Sequence, residues 1–338
     1  MIVKKILSFP SAKESFWDFW KSENCTRDNT LFFDIETTGL AKEHCQVYLI
    51  GCLSYEKDSG ACLRQWFCED PSQEQKLLET FLDYAQDYST YVHFNGSRFD
   101  IPFLEYRFRK YQLPTCFSGK NSLDLYLKAR PLKELLKLPR LRQVSLESFL
   151  YPDKHRENCS GKDCIPLYRA YRKNPCSQDL ELLLGHNQED LEGLFSLSPL
   201  LSYCAFLEGD FQIQRVNTTD RELLLTLDLK YPLLVLFSYG GDGFYLTGQE
   251  KTLRLSITMK NGNLRQFYSD YKNYYYLPGE DTAIHKSLGS YLDPALRIPA
   301  TVQNCYTWFP CTEQFLSSSE ELQRYVRHNI FSRILHLS

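Results

Sequence analysis

Three separated segments carry side chains with the means to hold a divalent cation. In Asp34-Ile35-Glu36 two carboxylates stand two residues apart at the end of the apolar run Leu31 to Glu36. Alternate side chains of a strand share a face, so Asp34 and Glu36 point one way while Phe33 and Ile35 point the other. Two like charges so close repel unless a cation sits between them; a solvated strand end is the alternative for this pair taken alone. The second segment, His93-Phe94-Asn95-Gly96-Ser97-Arg98-Phe99-Asp100, ends a strand and turns at Asn95-Gly96. It sets Asp100 on the first turn of a helix, where the carboxylate also suits the helix dipole. The third, His186-Asn187-Gln188-Glu189-Asp190, lies within a helix. Residues four apart share a helical face, so His186 and Asp190 can address one point; a core or surface histidine is the alternative for His186 alone.

In order and spacing these segments resemble the three motifs of the DEDD exonuclease superfamily, in which four acids hold two divalent cations on a ribonuclease-H-like fold. The first motif corresponds to Asp34-Ile35-Glu36-Thr37-Thr38-Gly39. The second is Asn95-x-x-x-Phe99-Asp100, a form shared with proofreading domains of family B polymerases, and the third is His186-x-x-x-Asp190. A closer resemblance, over about residues 31–207, is to the YprB-type ribonuclease-H-like proteins. It rests on HFNGSRFDIPFL, Ser122-Leu123-Asp124-Leu125, Ser160-Gly161 with Leu167-Tyr168, and HNQED. The resemblance implies a 3′–5′ exonuclease acting on single-stranded DNA or RNA with two Mg²⁺ or Mn²⁺ ions; the cytoplasm is the expected location because no apolar run is long enough to span a bilayer and Pro10 interrupts any signal-type core. Carboxylate oxygens suit these hard cations, and a pair of them ~3.5–4 Å apart holds both the attacking and leaving oxygens of a phosphodiester. It implies Asp34, Glu36, Asp100 and Asp190 as metal ligands and His186 as general base, a role that a near-neutral pKa fits. His186 stands four residues before the last acid, the spacing of the family's Tyr-bearing members. Those with His place it five before. At ~100° per residue the two spacings differ in direction. Thr37 and Thr38 are candidates for contact with the terminal nucleotide, or for a turn; Asn95 and Phe99 for the base, or for packing. A nucleic-acid-binding protein with little catalysis on the same fold is the alternative function.

Positioning these side chains falls to elements that the pattern makes legible. Apolar runs at Leu31–Glu36, Val47–Leu53, Cys62–Cys68 and Tyr91–Phe94 read as strands. Ser72–Asp87 and about 99–111 have helical spacing, as do segments near 122–137, 144–150, 165–173 and 178–207, the last restarting at Pro199. The aromatic cluster Phe16–Trp20 reads as a short helix capped near Ser11. After residue 209 the texture turns to short strands at Glu222–Leu229, Pro232–Tyr239, Phe244–Thr247, Leu253–Met259 and Leu264–Tyr268. The expected class is α/β: a ribonuclease-H-like mixed sheet flanked by helices over 1–208 (core about 31–207), followed by a smaller β-rich, Tyr-rich domain over 209–338. For the tyrosines from Tyr268 to Tyr276, packing is favoured over stacking on bases.

Composition agrees with an ordinary globular protein: 338 residues, 43% hydrophobic and 24% charged. The longest uncharged stretches, Gly193–Leu207 and Ile298–Thr312, are 15 residues each, whereas a membrane-spanning helix takes ~18 or more. The 12 cysteines include no Cys-x-x-Cys pair, which favours reduced, buried thiols over a disulfide scaffold or structural zinc. Net charge is −3, yet residues 98–142 hold 11 basic against 4 acidic side chains. That block begins at the second motif. Arg107, Arg109 and Lys110 on the helix after Asp100 are its candidates for guiding a phosphate backbone. No protein partner is indicated.

Overall fold

The computed structural model describes residues 1–7, 16–56, 60–154, 156 and 161–336, so the Ser11 cap falls outside the described residues. The chain divides into two compact units, residues 1–133 with 137–202, and 203–338 with 134–136. Among the described residues no helix is long and apolar enough to cross a membrane.

The first unit is built on β1 (Ile2–Leu7), β2 (Thr30–Thr37), β3 (Val47–Glu56), β4 (Gly60–Phe67), β5 (Thr90–His93) and β6 (Asn121–Asp124). They form one sheet in the order β1-β4-β3-β2-β5-β6. The strands from β1 across to β2 pair antiparallel, whereas β2, β5 and β6 run parallel. Helices α1 (Phe16–Trp20), α2 (Glu74–Ala85), α3 (Asp100–Lys110), α4 (Leu125–Ala129), α5 (Leu132–Leu135), α6 (Gln143–Leu150), α7 (Gly161–Lys173), α8 (Ser177–Ser196) and α9 (Leu200–Glu208) accompany them in chain order, α5 and α9 crossing the unit boundary. This is the mixed, helix-flanked sheet expected.

Strand β2 is buried on both faces, and alternation sorts its side chains. Phe33 packs with Phe81 of α2 and with Tyr91 of β5. Phe32, on the opposite face, meets Trp20 edge-on at 5.0 Å and Phe195 of α8 at 5.3 Å. Burying each such ring contributes roughly 1.5–3 kcal/mol, and it clamps α1 and α8 over the face that carries Asp34 and Glu36. The chain leaves β2 toward β3 on one side, while β5 lies parallel on the other. The carboxyl ends of β2 and β5 therefore flank a switch in strand order, where open α/β sheets form crevices.

Two elements differ from expectation. The stretch 121–124 is a strand rather than the start of a helix, because it pairs in parallel with β5 at the sheet edge. Asp124 then caps α4 by accepting the Tyr126 amide at 3.0 Å. Strand β1, paired antiparallel with β4 from Ile2↔Phe67 onward, lacks a pattern that separates it from the mixed N-terminal sequence.

In the second unit, β7 (Phe211–Thr218), β8 (Glu222–Gly241) and β9 (Phe244–Thr258) form an antiparallel sheet. The four short runs expected between 222 and 259 are thus two long strands joined at Asp242-Gly243, with register shifts between Asp228 and Phe237. The tyrosines pack on one another. Tyr268 stacks on Tyr274 at 5.0 Å, and Asp281 accepts from Tyr276, Tyr306 and Lys260. Although partial burial alone would raise it, these donors hold the Asp281 carboxyl down to about 2. Helices close the chain from Glu313 onward.

Candidate active site

Strand β2 presents Asp34 and Glu36 toward α8, and α8 returns His186 and Asp190 from its middle. One carboxylate oxygen from each of Asp34, Glu36 and Asp190 lies within 4.8 Å of the other two. His186 Nε2 stands 3.2 Å from Asp190 Oδ2 and 3.4 Å from Glu36 Oε1. The four-residue spacing therefore aims the imidazole at the carboxylates, one turn along the same helical face. Asp100, 6% exposed at the start of α3, approaches from the β5 side and accepts the Ile35 amide at 3.3 Å through Oδ1. It lies outside the 4.8 Å group but within its field.

Burial pushes the Asp34 carboxyl well above the usual carboxylate range, and the charges of Asp190, Asp100 and Glu36 push the same way. Burial also raises Glu36, with Asp190 and Asp100 adding to it. Asp100 is pushed up to about 7, mainly by burial. Asp34, Glu36 and Asp100, all raised and crowded beside Asp190, are a set that a cation would stabilise. Hard oxygen donors at this spacing fit Mg²⁺ or Mn²⁺: Asp34, Glu36 and Asp190 would hold the cations, with Asp100 beside them.

A pH dependence follows. Cations must displace protons here, so Mn²⁺ affinity is expected to rise with pH through about 7, the value to which Asp100 is shifted. In Asp100→Asn that rise should flatten, as calorimetric titration in buffers of different ionisation enthalpy will read. In the metal-free protein the sign reverses. Folded Asp100 keeps a proton that the unfolded chain releases near 3.8. Its contribution to stability is full below that pH and lost as pH rises through about 7, which thermal melts in chelator will register.

The loop delivering Asp100 is held by Asp124, which accepts the Asn95 amide at 2.8 Å and the Ser97 amide at 3.2 Å. His93, pushed down to about 4 by burial, accepts the Gly96 amide at 3.1 Å. A Cβ on Gly96 would lie 2.7 Å from the His93 ring, and Asn95 takes the left-handed φ of 63°. The HFNGS segment is thus a scaffold, and Asp124 acts through backbone amides. Asp124→Ala is expected to cost about 3 kcal/mol, since a charged acceptor of several amides is lost. Urea unfolding should find it less stable than Asp124→Asn, which keeps one acceptor.

The remaining expectations divide. Arg107 is 1% exposed and its guanidinium pairs with Glu74, itself wholly buried. It braces α2 against α3 and is not available to a phosphate, which corrects the reading that grouped it with Arg109 and Lys110. Thr37, 6% exposed, donates to the Gly39 carbonyl at 2.8 Å, and Thr38 accepts the Gln46 amide at 3.0 Å. Both hydroxyls serve the turn after β2, and Thr37 is too enclosed to meet a nucleotide. Phe99 packs against Phe103 and is partly exposed, as is Asn95, while Arg109 and Lys110 are exposed.

Several residues at the site had no sequence signal. Asn187 is wholly buried and donates from Nδ2 to Asp34 Oδ2 at 2.9 Å. Its Oδ1 accepts from Gln65 Nε2 at 2.9 Å, and the same amide nitrogen of Gln65 reaches the Leu184 carbonyl at 2.7 Å. Gly51 on β3, opposite Asp34, makes the approach of α8 feasible: a Cβ there would lie 1.9 Å from Asn187 Oδ1. Arg156 pairs with Asp190 and with Glu147 of α6, and Gln143 Nε2 donates to the Asp190 carbonyl at 2.7 Å. From Arg156, Gln143 and Asn187 the acids they contact lie 34, 47 and 153 residues away, too far for periodicity to pair them.

A family model described as the RNase_H superfamily matches residues 31–202, just over half of the chain. No curated protein matches. Among solved structures, a family B DNA polymerase from the hyperthermophilic archaeon Pyrobaculum calidifontis is similar at 15% identity, over 53% of this chain and 24% of its own, with a TM-score of 0.41. The present chain thus spans about a quarter of the polymerase's length. A nuclease in its apo form is similar at 15% identity over 57% of this chain and 78% of its own, with a TM-score of 0.36. Exonuclease I is similar at 9% identity over 91% of this chain and 70% of its own, with a TM-score of 0.38.

Proposed function

The chain belongs to the RNase_H superfamily, and from that premise we propose that it is a divalent-metal-dependent nuclease that shortens single-stranded nucleic acid from its 3′ end. The observation carrying this reading is the convergence of Asp34, Glu36 and Asp190 within 4.8 Å, with His186 Nε2 against two of them. Fold membership alone does not fix a reaction; the donor set does more. Two Mg²⁺ or Mn²⁺ ions bound at these acids would supply Lewis-acid activation of water and neutralise charge on the phosphodiester.

The chain's own groups have the following parts. Asp34, Glu36, Asp100 and Asp190 would hold the cations. His186 Nε2 takes the proton from water as the oxygen attacks phosphorus. The bond from phosphorus to the 3′ oxygen breaks, that oxygen takes a proton from solvent to become the 3′ hydroxyl of the shortened strand, and a nucleoside 5′-monophosphate leaves. Thr38, Asn95 and Phe99, each partly exposed, are the groups to receive the terminal nucleotide, by an aromatic face and polar side chains. Arg109 and Lys110, exposed at the end of α3, provide positive charge for the phosphate backbone.

The test is incubation of 5′-labelled single-stranded DNA and RNA with Mn²⁺, beside circular single strands. Stepwise shortening of linear strands with circles intact supports the proposal. Cutting of circles would make the protein an endonuclease. Tight binding with no shortening would leave a binding protein on the same fold.

A further inference from the structure

Glu36 and His186 also belong to a second group of ligand-type side chains, completed by Cys164 of α7. One atom from each lies within 4.8 Å of the other two. Cys164 is wholly buried, and His186 is 5% exposed. Independently, His186 Nδ1 is buried with no hydrogen-bond partner, which costs about 1–3 kcal/mol unless a ligand or proton donor meets it. Helix α7 is seated firmly: Tyr168, one turn beyond Cys164, stacks on Tyr48 of β3 at 3.9 Å. Its neighbour Leu49 is the β3 partner of Glu36.

This second donor set differs in kind from the carboxylate trio. It offers one sulfur, one imidazole nitrogen and one carboxylate oxygen. Magnesium has little use for the first two, whereas zinc takes all three, at ~2.0–2.3 Å, and closes its tetrahedron with water. Ligands at those lengths stand roughly 3.3–3.8 Å apart around a tetrahedral ion. The 4.8 Å bound therefore asks for small side-chain adjustments and no movement of the helix.

We infer that the chain binds one Zn²⁺ ion through Glu36, Cys164 and His186, in competition with the hard cations of the carboxylate trio. As the zinc–sulfur bond forms, the Cys164 thiol gives its proton to solvent. Zinc there takes the His186 lone pair away from the attacking water and draws Glu36 out of the trio. It is therefore an inhibitor of hydrolysis, a consequence that rests on the nuclease reading, whereas the binding does not.

The experiment uses the full chain freed of metal and titrated with Co²⁺, a spectroscopic stand-in for zinc. Sulfur-to-cobalt charge-transfer absorption is expected, bleached by one equivalent of Zn²⁺. It should be absent in Cys164→Ser and in His186→Gln, and retained in Asp34→Asn, which lies outside the zinc set. Circular dichroism checks that each variant is folded, and Cys164→Ala replaces the serine variant if that fails. In hydrolysis assays, each variant compared with its own zinc-free rate, the Zn²⁺ concentration that halves turnover should rise at least tenfold in Cys164→Ser. Absorption that is missing in the wild type, or unchanged in the Cys164 variants, overturns the zinc site. Absorption that depends on Cys164 in a chain that hydrolyses no substrate keeps the zinc site and removes the nuclease.

Discussion

Asp34→Asn is expected to lower Mn²⁺-dependent hydrolysis by roughly 10³-fold, the scale on which a removed stabiliser of transition-state charge acts, while leaving the metal-free fold at least as stable. The two halves of this result come from one feature. Asp34 is raised well above the carboxylate range by burial and by Asp190, Asp100 and Glu36, so ionising it in the empty cluster is costly. An amide of the same shape removes a charge that the fold only bears with difficulty, and its oxygen can still accept from Asn187 Nδ2. The same substitution removes a ligand placed within 4.8 Å of Glu36 and Asp190. Melting in chelator should therefore hold or rise, by about 2–4 °C per kcal/mol gained for a unit of this size. Added Mn²⁺ should raise the melting temperature of the wild type and barely move the variant's. Hydrolysis within tenfold of wild type would remove Asp34 from the machinery. A metal-free melt that collapses would instead show the carboxylate to be a structural group.

How much of this was legible before the structure depended on how local each signal is. Strand β2, the turn at Asn95-Gly96 leading into α3, and helix α8 are written in short-range patterns, and β2, the first turn of α3 and α8 carry the acids and His186. The edge strand β6 is not, because Asn121-Ser122-Leu123-Asp124 has no apolar alternation and becomes a strand only by pairing with β5. Arg107 failed for the same reason in reverse. On α3 it reads as one of a basic group, and only its partner Glu74, on another helix, makes it a buried brace. The long hairpin of β8 and β9 looked like four strands because its register shifts interrupt the alternation while pairing continues. Distant pairing, rather than local preference, decided each of these.

The same blindness hid Asn187, and its replacement by Leu is expected to have the second largest effect. Asn187 sits between the two residues of the third motif that carry chemistry, yet one position along a helix is a turn of ~100°. Its side chain faces β2 and β3 and lies fully buried between Asp34 and Gln65. Leucine keeps the branching at Cγ but removes a donor from Asp34 and an acceptor from Gln65, whose amide still reaches the Leu184 carbonyl. Outer partners that orient metal ligands are commonly worth 10–100-fold in metal affinity or activity, so hydrolysis should become half-maximal at about 10–100-fold higher Mn²⁺. The accompanying loss of stability is about 1–3 kcal/mol, the cost of one buried group left unpaired. Asn187→Asp separates the two roles. It keeps an acceptor for Gln65 but sets another carboxylate 2.9 Å from where Asp34 accepts today, raising the proton affinity of the pair. Its Mn²⁺ requirement should therefore ease as pH rises, whereas that of Asn187→Leu, which adds no titrating group, should follow the wild-type slope. If both variants keep the wild-type Mn²⁺ requirement at every pH, Asn187 supports the packing of α8 on the sheet and does not orient Asp34.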